Sequence, residues 1–137
     1  MLQALVLVSS LAVQQSANAG ASYTAEELAG GAIREVMSAQ AVHKKQFAQA
    51  GYACNLERLV ETQMLLDTWL AGKRVDGYVF KVWCDTKATP QATFRASGVP
   101  LKKAKGASLT VCTDETNVLR TIDGDVAACF AKGVPVR

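Results

Sequence analysis

Hydrophobic positions recur every three or four residues across residues 24–50. Leu28, Ala32, Val36, Ala39, His43 and Phe47 form one stripe, and Ile33 and Met37 widen it. That period predicts an amphipathic helix with one buried face. Arg34, Glu35, Lys44 and Lys45 fall largely off the stripe and belong to solvent. Thr24 and Glu27 stand at the capping-box spacing, where the threonine oxygen takes a free backbone N–H and the glutamate reaches back. Gly51 is a natural helix stop. Asn55 can cap a second helical stretch carrying Leu56, Leu59, Val60, Met64 and Leu65, expected to end by Gly72 with Lys73 and Arg74 at its negative dipole end.

From Tyr78 the period changes to two. Tyr78, Phe80, Val82 and Cys84 alternate with Val79, Lys81 and Trp83, the pattern of a strand with one buried face. A turn over residues 85–90 leads to a second strand over 92–96, which Gly98 and Pro100 are expected to end. A basic loop over 102–106 precedes a third strand over 109–113. Asn117, able to adopt the left-handed backbone region, closes the connection to a fourth over 118–122. Residues 126–137 read as a tail tethered by Cys129. Helices first and an antiparallel meander afterwards is an α+β order. The economical assembly lays one face of a four-stranded sheet on the stripe of the long helix. It would bury Ile33, Val36, Phe47, Tyr78, Phe80, Phe94 and Val111, worth roughly 1.5–3 kcal/mol each.

Composition changes this picture in one respect. A chain of 137 residues with a net charge of +3 fits one globular domain and demands no nucleic acid. Its four cysteines, Cys54, Cys84, Cys112 and Cys129, contain no C-x-x-C interval, and His43 is the only histidine, which argues against a zinc site. A disulfide framework in an oxidising compartment is the better reading. Four cysteines permit three connectivities. The sequential one, Cys54–Cys84 and Cys112–Cys129, is preferred because it ties the helical half to the first strand and pins the tail to the sheet. Each loop would then constrain the unfolded chain by about 3–4 kcal/mol. The apolar residues 2–13 followed by Ala17-Asn18-Ala19 resemble a secretory signal with cleavage before Gly20, although no Lys or Arg precedes the run. The expected organisation is a signal peptide over 1–19 and one exported, periplasmic or extracellular domain over 20–137.

No nucleotide, hydrolase or metalloprotease motif occurs, so no catalytic residue and no cofactor are assigned. His43, without a second histidine, reads as a packed, hydrogen-bonded side chain. Asp114, Glu115, Asp123 and Asp125 could gather as hard oxygen ligands for calcium. Their spacing matches no EF-hand loop, and solvated turn carboxylates are the preferred reading. Trp83 should point outward beside Lys81, and with the loop lysines Lys102, Lys103 and Lys105 it makes the candidate interaction surface. The competing expectation, and the favoured one for Trp83, is that the segment around Phe130 folds over the indole. Three lysines leave too short a footprint for nucleic acid to be the expected partner.

Several segments resemble type IV pilin-like and pseudopilin-like proteins, in particular acidobacterial-type pilins. Ala32-Ile33-Arg34-Glu35-Val36-Met37-Ser38-Ala39-Gln40 and Gly51-Tyr52-Ala53-Cys54-Asn55-Leu56 are similar to their mid-helix and first loop. Leu65-Leu66-Asp67, Leu70-Ala71-Gly72-Lys73 and Gly77-Tyr78-Val79-Phe80 resemble the run into their first strand. Thr113-Asp114-Glu115-Thr116-Asn117-Val118-Leu119-Arg120 resembles their late hairpin. The resemblance implies a long helix wrapped by a sheet and a role in protein–protein contact at the bacterial cell envelope, with other pilin-like subunits as candidate partners. Residues 1–19 lack the glutamate and the full-length apolar helix of filament subunits. The expectation is therefore a soluble, non-catalytic headpiece. Its rivals are a true type IV pilus or type II secretion subunit with a misassigned start, and a secreted ligand-binding domain.

Overall fold

In the computed structural model, which describes residues 23–71, 74–102 and 109–137, helix α1 spans Ala25–Gln46. The capping box is formed as its spacing predicts. Thr24 Oγ1 accepts from Glu27 N at 3.2 Å, and Thr24 N donates to Glu27 Oε2 at 3.2 Å. The buried face holds Ala29, Gly30, Ala32, Ile33, Val36, Ala39, Gln40 and His43. It is rotated slightly from the expected stripe: Leu28 is 47% exposed, and Ala29 and Gln40 take its place. Four of the eight buried residues are alanine or glycine, so the sheet approaches the helix backbone closely and a bulky Leu28 fits better at the margin.

The helix ends four residues earlier than expected. Ala50 N and Gly51 N both donate to Phe47 O, and Gly51 turns the chain with φ +78°. A side chain there is excluded twice over, because a Cβ would stand 2.2 Å from Gln91 O. Gln91 in turn pairs with this corner: Gln91 N donates to Ala50 O at 2.9 Å, and Tyr52 N donates to Gln91 O at 3.0 Å.

Helix α2, Leu56–Glu61, begins as expected, with Asn55 Oδ1 accepting from Arg58 N at 2.8 Å. It does not reach Gly72. Gln63 adopts φ 62°, Gln63 N donates to Val60 O, and Met64 N donates to Leu59 O. Those two bonds around a left-handed residue form a Schellman stop. A single 3₁₀ turn, Asp67–Trp69, then places Trp69 in the core. Gly72 and Lys73 lie outside the described residues, as do the expected signal peptide over 1–19 and the loop lysines Lys103 and Lys105.

Strands β1 (Tyr78–Trp83), β2 (Arg95–Pro100), β3 (Thr110–Asp114), β4 (Arg120–Ile122) and β5 (Val134–Pro135) form an antiparallel meander in chain order. The architecture is α+β as expected, with five strands rather than four. Tyr78 and Val82 are buried, Val79 and Lys81 exposed, as alternation predicts. One expectation fails on a glycine. The second strand runs three residues later than expected and continues through Gly98, since a Cβ at that position would lie 2.7 Å from Phe80 and 2.8 Å from Val111. Their side chains close over the bare backbone. The C-terminal segment is also more than a tail. Asp125 Oδ1 accepts from Ala128 N at 2.8 Å and caps helix α3, Val126–Lys132, and β5 then pairs with β4.

Both faces of the sheet centre are covered. Val111 and Ala96 belong to the face under α1. Cys112, one residue on and therefore pointing the other way, bonds Cys129 of α3. Hence Thr110, Val111, Cys112 and Thr113 are buried in succession. Their hydroxyls are satisfied by loop carbonyls: Thr110 Oγ1 donates to Gly124 O at 2.7 Å and Thr113 Oγ1 to Val118 O at 3.1 Å. Cys54 bonds Cys84, tying the corner after α1 to the end of β1. The chain thus carries both sequential disulfides and no free cysteine, which indicates an oxidising environment. Ile33, Val36, Tyr78, Phe94 and Val111 are buried as expected, while Phe47 and Phe80 are only half-buried.

Two measurements follow from this packing. Gly51→Ala should lower stability by at least about 2 kcal/mol in urea denaturation, because the left-handed φ and the contact with Gln91 act together. Tyr78 is 2% exposed and donates its hydroxyl to Leu109 O at 2.6 Å. Burial first, and the Glu26 carboxylate second, raise its pKa from 10.0 to about 12. The folded chain therefore holds the phenol proton where the unfolded chain releases it. This contribution is complete below pH 10 and is lost as the pH rises toward about 12. The pH-dependent fall in urea midpoint across that window should shrink in Tyr78→Phe.

Candidate interaction surface

The surface expected from sequence is divided by the fold. Trp83 closes the C-terminal end of β1, whereas Lys102 lies beyond Pro100, which pairs with Tyr78 at the other end of that strand. Lys81 does meet Trp83, its Nζ 5.3 Å from the indole centroid. The indole is not left open: Phe130 of α3 stands edge-on to it at 5.8 Å between ring centroids. Asp85 locks the group, with Oδ1 accepting from Trp83 Nε1 at 3.2 Å and Oδ2 facing Arg95 Nε at 2.8 Å. The Arg95 guanidinium carbon is 4.5 Å from the Phe130 ring centroid. This cluster fastens α3 to the outer face of the sheet, so Trp83 serves packing.

Two of the acidic turn residues are engaged separately. Asp125 caps α3, and Asp114 Oδ1 accepts from Thr116 N at 2.9 Å. Among the described residues no three His, Cys, Asp or Glu side chains gather as a metal site.

His43 is 1% exposed, and both ring nitrogens are used. Nδ1 is 2.8 Å from Gly51 O, and Arg58 Nε donates to Nε2 at 3.2 Å. Because Nε2 accepts, Nδ1 carries the proton and donates to the carbonyl. One turn earlier, Gln40 is fully buried and grips Ala53 at two points: Nε2 donates to Ala53 O at 2.7 Å and Oε1 accepts from Ala53 N at 2.8 Å. Two α1 side chains therefore hold the backbone of the corner. Sequence reasoning placed His43 correctly but did not single out Gln40. Its one legible signal is a glutamine three residues before the histidine on the same helix face.

Part of the exposed apolar surface lies on the side of α1 away from the sheet, while Tyr23, Val79, Leu101, Val134 and Val136 are exposed elsewhere. Leu28, Gly31, Glu35, Ser38 and Val42 follow one another at helical three- and four-residue steps. Beside them an open groove of about 550 Å³ is lined by Gly31, Ser38, Val42, Leu66 and Trp69 among others. Leu66 is 75% exposed, Leu70 50%, Leu28 47% and Val42 43%. Glu35 and Arg74 pair through two hydrogen bonds at the rim, with the Arg74 guanidinium 5.7 Å from the Trp69 ring. Small helix residues, a tryptophan floor and flanking aliphatics can bury apolar groups of a protein partner. Sequence reasoning missed this face, because it put Leu28 inside and Leu65 on a longer α2. No helix among the described residues is long and apolar enough to cross a membrane.

No protein-family model, curated protein or solved structure matches this chain.

Gln40→Leu keeps most of the side-chain volume but leaves the Ala53 N–H and C=O buried and unpaired. It should cost about 2–4 kcal/mol of stability. Urea denaturation of the variant beside Lys81→Ala, a change at an exposed site that should move stability by less than about 0.5 kcal/mol, checks this.

Proposed function

We propose that this chain is an exported pilin-like headpiece that works by protein–protein contact at the cell envelope, without catalysis. The observation that carries the reading is the division of α1 into two unlike faces. One face is sealed onto the sheet, and the other presents the apolar ridge and groove around Val42, Leu66 and Trp69. A helix of 22 residues that offers one full side to solvent yet keeps aliphatic side chains there is suited to being covered by another protein. Gly31 adds to this. A Cβ there would meet nothing within 4 Å, so an alanine would be tolerated sterically and favoured by helix propensity. The bare position leaves room for a close neighbour. The disulfides support export, because they need an oxidising compartment to persist. The pilin-like resemblance of the sequence supports the choice of cell envelope and of a pilin-like or other protein partner.

Two results test this reading. Intact mass of the protein recovered from the periplasm or medium of an expressing diderm bacterium should correspond to a chain beginning at Gly20 with both disulfides present. A cytoplasmic, uncleaved and reduced chain would count against export. A photo-crosslinking residue at Val42 or Leu66 should trap a defined protein partner in the envelope, and one at Lys132 on α3 should not. Gly31→Ala should raise stability by about 0.5–1 kcal/mol while weakening that crosslink. Equal crosslinking from both faces would remove the interaction surface assigned to α1.

A further inference from the structure

The two disulfides sit in opposite environments. Cys112 and Cys129 are both fully buried between the sheet and α3. Cys129 Sγ lies 3.6 Å from Arg120 O and 3.9 Å from Thr110 O. Cys54 and Cys84 are each partly exposed. Cys54 also forms part of the wall of an open groove of about 590 Å³, beside Asn55, Arg58, Lys87 and Thr89, and Cys84 does not line it. Thiol–disulfide exchange requires a thiolate to reach a sulfur atom, so access decides which bond reacts and which sulfur is attacked.

The geometry points to Cys54–Cys84 as a reversible exchange site for a small thiol or dithiol reductant, attacked at Cys54, with Cys112–Cys129 inert in the folded protein. The reductant thiolate enters the groove and forms a bond to Cys54 Sγ. The Cys54–Cys84 bond breaks, and its electron pair leaves on Cys84 Sγ, which takes a proton from water. A second thiol of the reductant then displaces Cys54, so the protein gains two electrons and two protons and the reductant becomes its disulfide. Glu57 and Glu61 share the groove with Arg58 and Lys87, so size and access select the reagent rather than charge.

Reversibility comes from the corner itself. Gln40 holds Ala53 by two hydrogen bonds, His43 holds Gly51, and Gln91 pairs with Ala50 and Tyr52. None of these bonds involves sulfur. They should keep Cys54 near the end of β1 when the disulfide opens; in the intact bond the two Cα atoms are 5.0 Å apart. Reduction should therefore leave the fold in place and the same pair ready to reform. This inference does not depend on the pilin-like reading or on any partner.

The test uses the full, unmodified chain without denaturant. It is exposed to reduced glutathione in one arm and to dithiothreitol in the other, quenched at intervals with an alkylating agent, and mapped by peptide mass. Cys54 and Cys84 should become alkylated at least about tenfold faster than Cys112 and Cys129, whose bond opens only with the protein. The glutathione arm should yield a mixed disulfide on Cys54 with Cys84 alkylated. Transfer of the dithiothreitol-treated protein to oxidised glutathione should restore Cys54–Cys84 alone. Equal rates for the two bonds, earlier opening of Cys112–Cys129, an adduct on Cys84, or scrambled pairing on reoxidation would each overturn the proposal.

Discussion

Everything else in this fold depends on α1 being seated on the sheet by a face made largely of small residues. Ala29, Ala32 and Ala39 bring β2 and β3 close to the helix axis, and Ile33 and Val36 fill what space remains. The sheet answers in kind at Gly98, where Phe80 and Val111 meet over a position that has no side chain. Close-packed surfaces of this kind tolerate little change in volume. Polar backbone groups at and just beyond the ends of α1 need partners as well. The chain meets that requirement at the N-terminus with Thr24 and Glu27, and beyond the C-terminus with Gln40 and His43.

Those two buried polar side chains solve one problem. A chain leaving α1 must turn sharply, and the Gly51–Ala53 backbone goes into the interior beside β1 with its N–H and C=O groups needing partners. Gln40 supplies both partners for Ala53, and His43 supplies one for Gly51. Arg58 of α2 completes the histidine and lies against Phe47, its guanidinium carbon 4.9 Å from the ring centroid. The helix, the corner and α2 are thus joined by hydrogen bonds before any sulfur is counted. On the opposite face of the sheet the logic is different. There α3 is fixed by Cys129 and by the Trp83, Asp85, Arg95 and Phe130 cluster. On the α1 side close apolar packing is joined by hydrogen bonds to the corner, and on the other side a buried disulfide and an edge-on aromatic cluster hold α3.

What could be read from the sequence follows from where local chemistry decides the outcome. The capping box at Thr24, the cap at Asn55, the alternation of β1 and the left-handed Asn117 are local devices, and each was legible. The end of α2 was not. Gln63 in a left-handed conformation carries no sequence signal, and Leu65 continued a helical period that the chain abandons. The second strand was misplaced because Gly98 and Pro100 are breakers when judged alone, while the sheet needs a residue without a side chain at position 98. Helix α3 was read as a tail because its seven residues bury Cys129 alone, leaving almost no periodic signal. At the surface, the candidate Trp83 was recognised, and so was the Phe130 segment that covers it. The ridge on α1 went unseen because a rotation of a fraction of a turn decides whether Leu28 is core or surface. Long-range packing sets that rotation, and the sequence pattern carries it only to within about a residue.

Native-state hydrogen exchange across a range of low denaturant concentrations addresses the seating of α1 most directly. If helix and sheet are one cooperative unit, the amides of residues 32–43 in α1 and those of β2 and β3 will exchange with the same highest free energy and the same dependence on denaturant. Exchange of the α1 amides at a clearly lower free energy, while β2 and β3 stay protected, would contradict it.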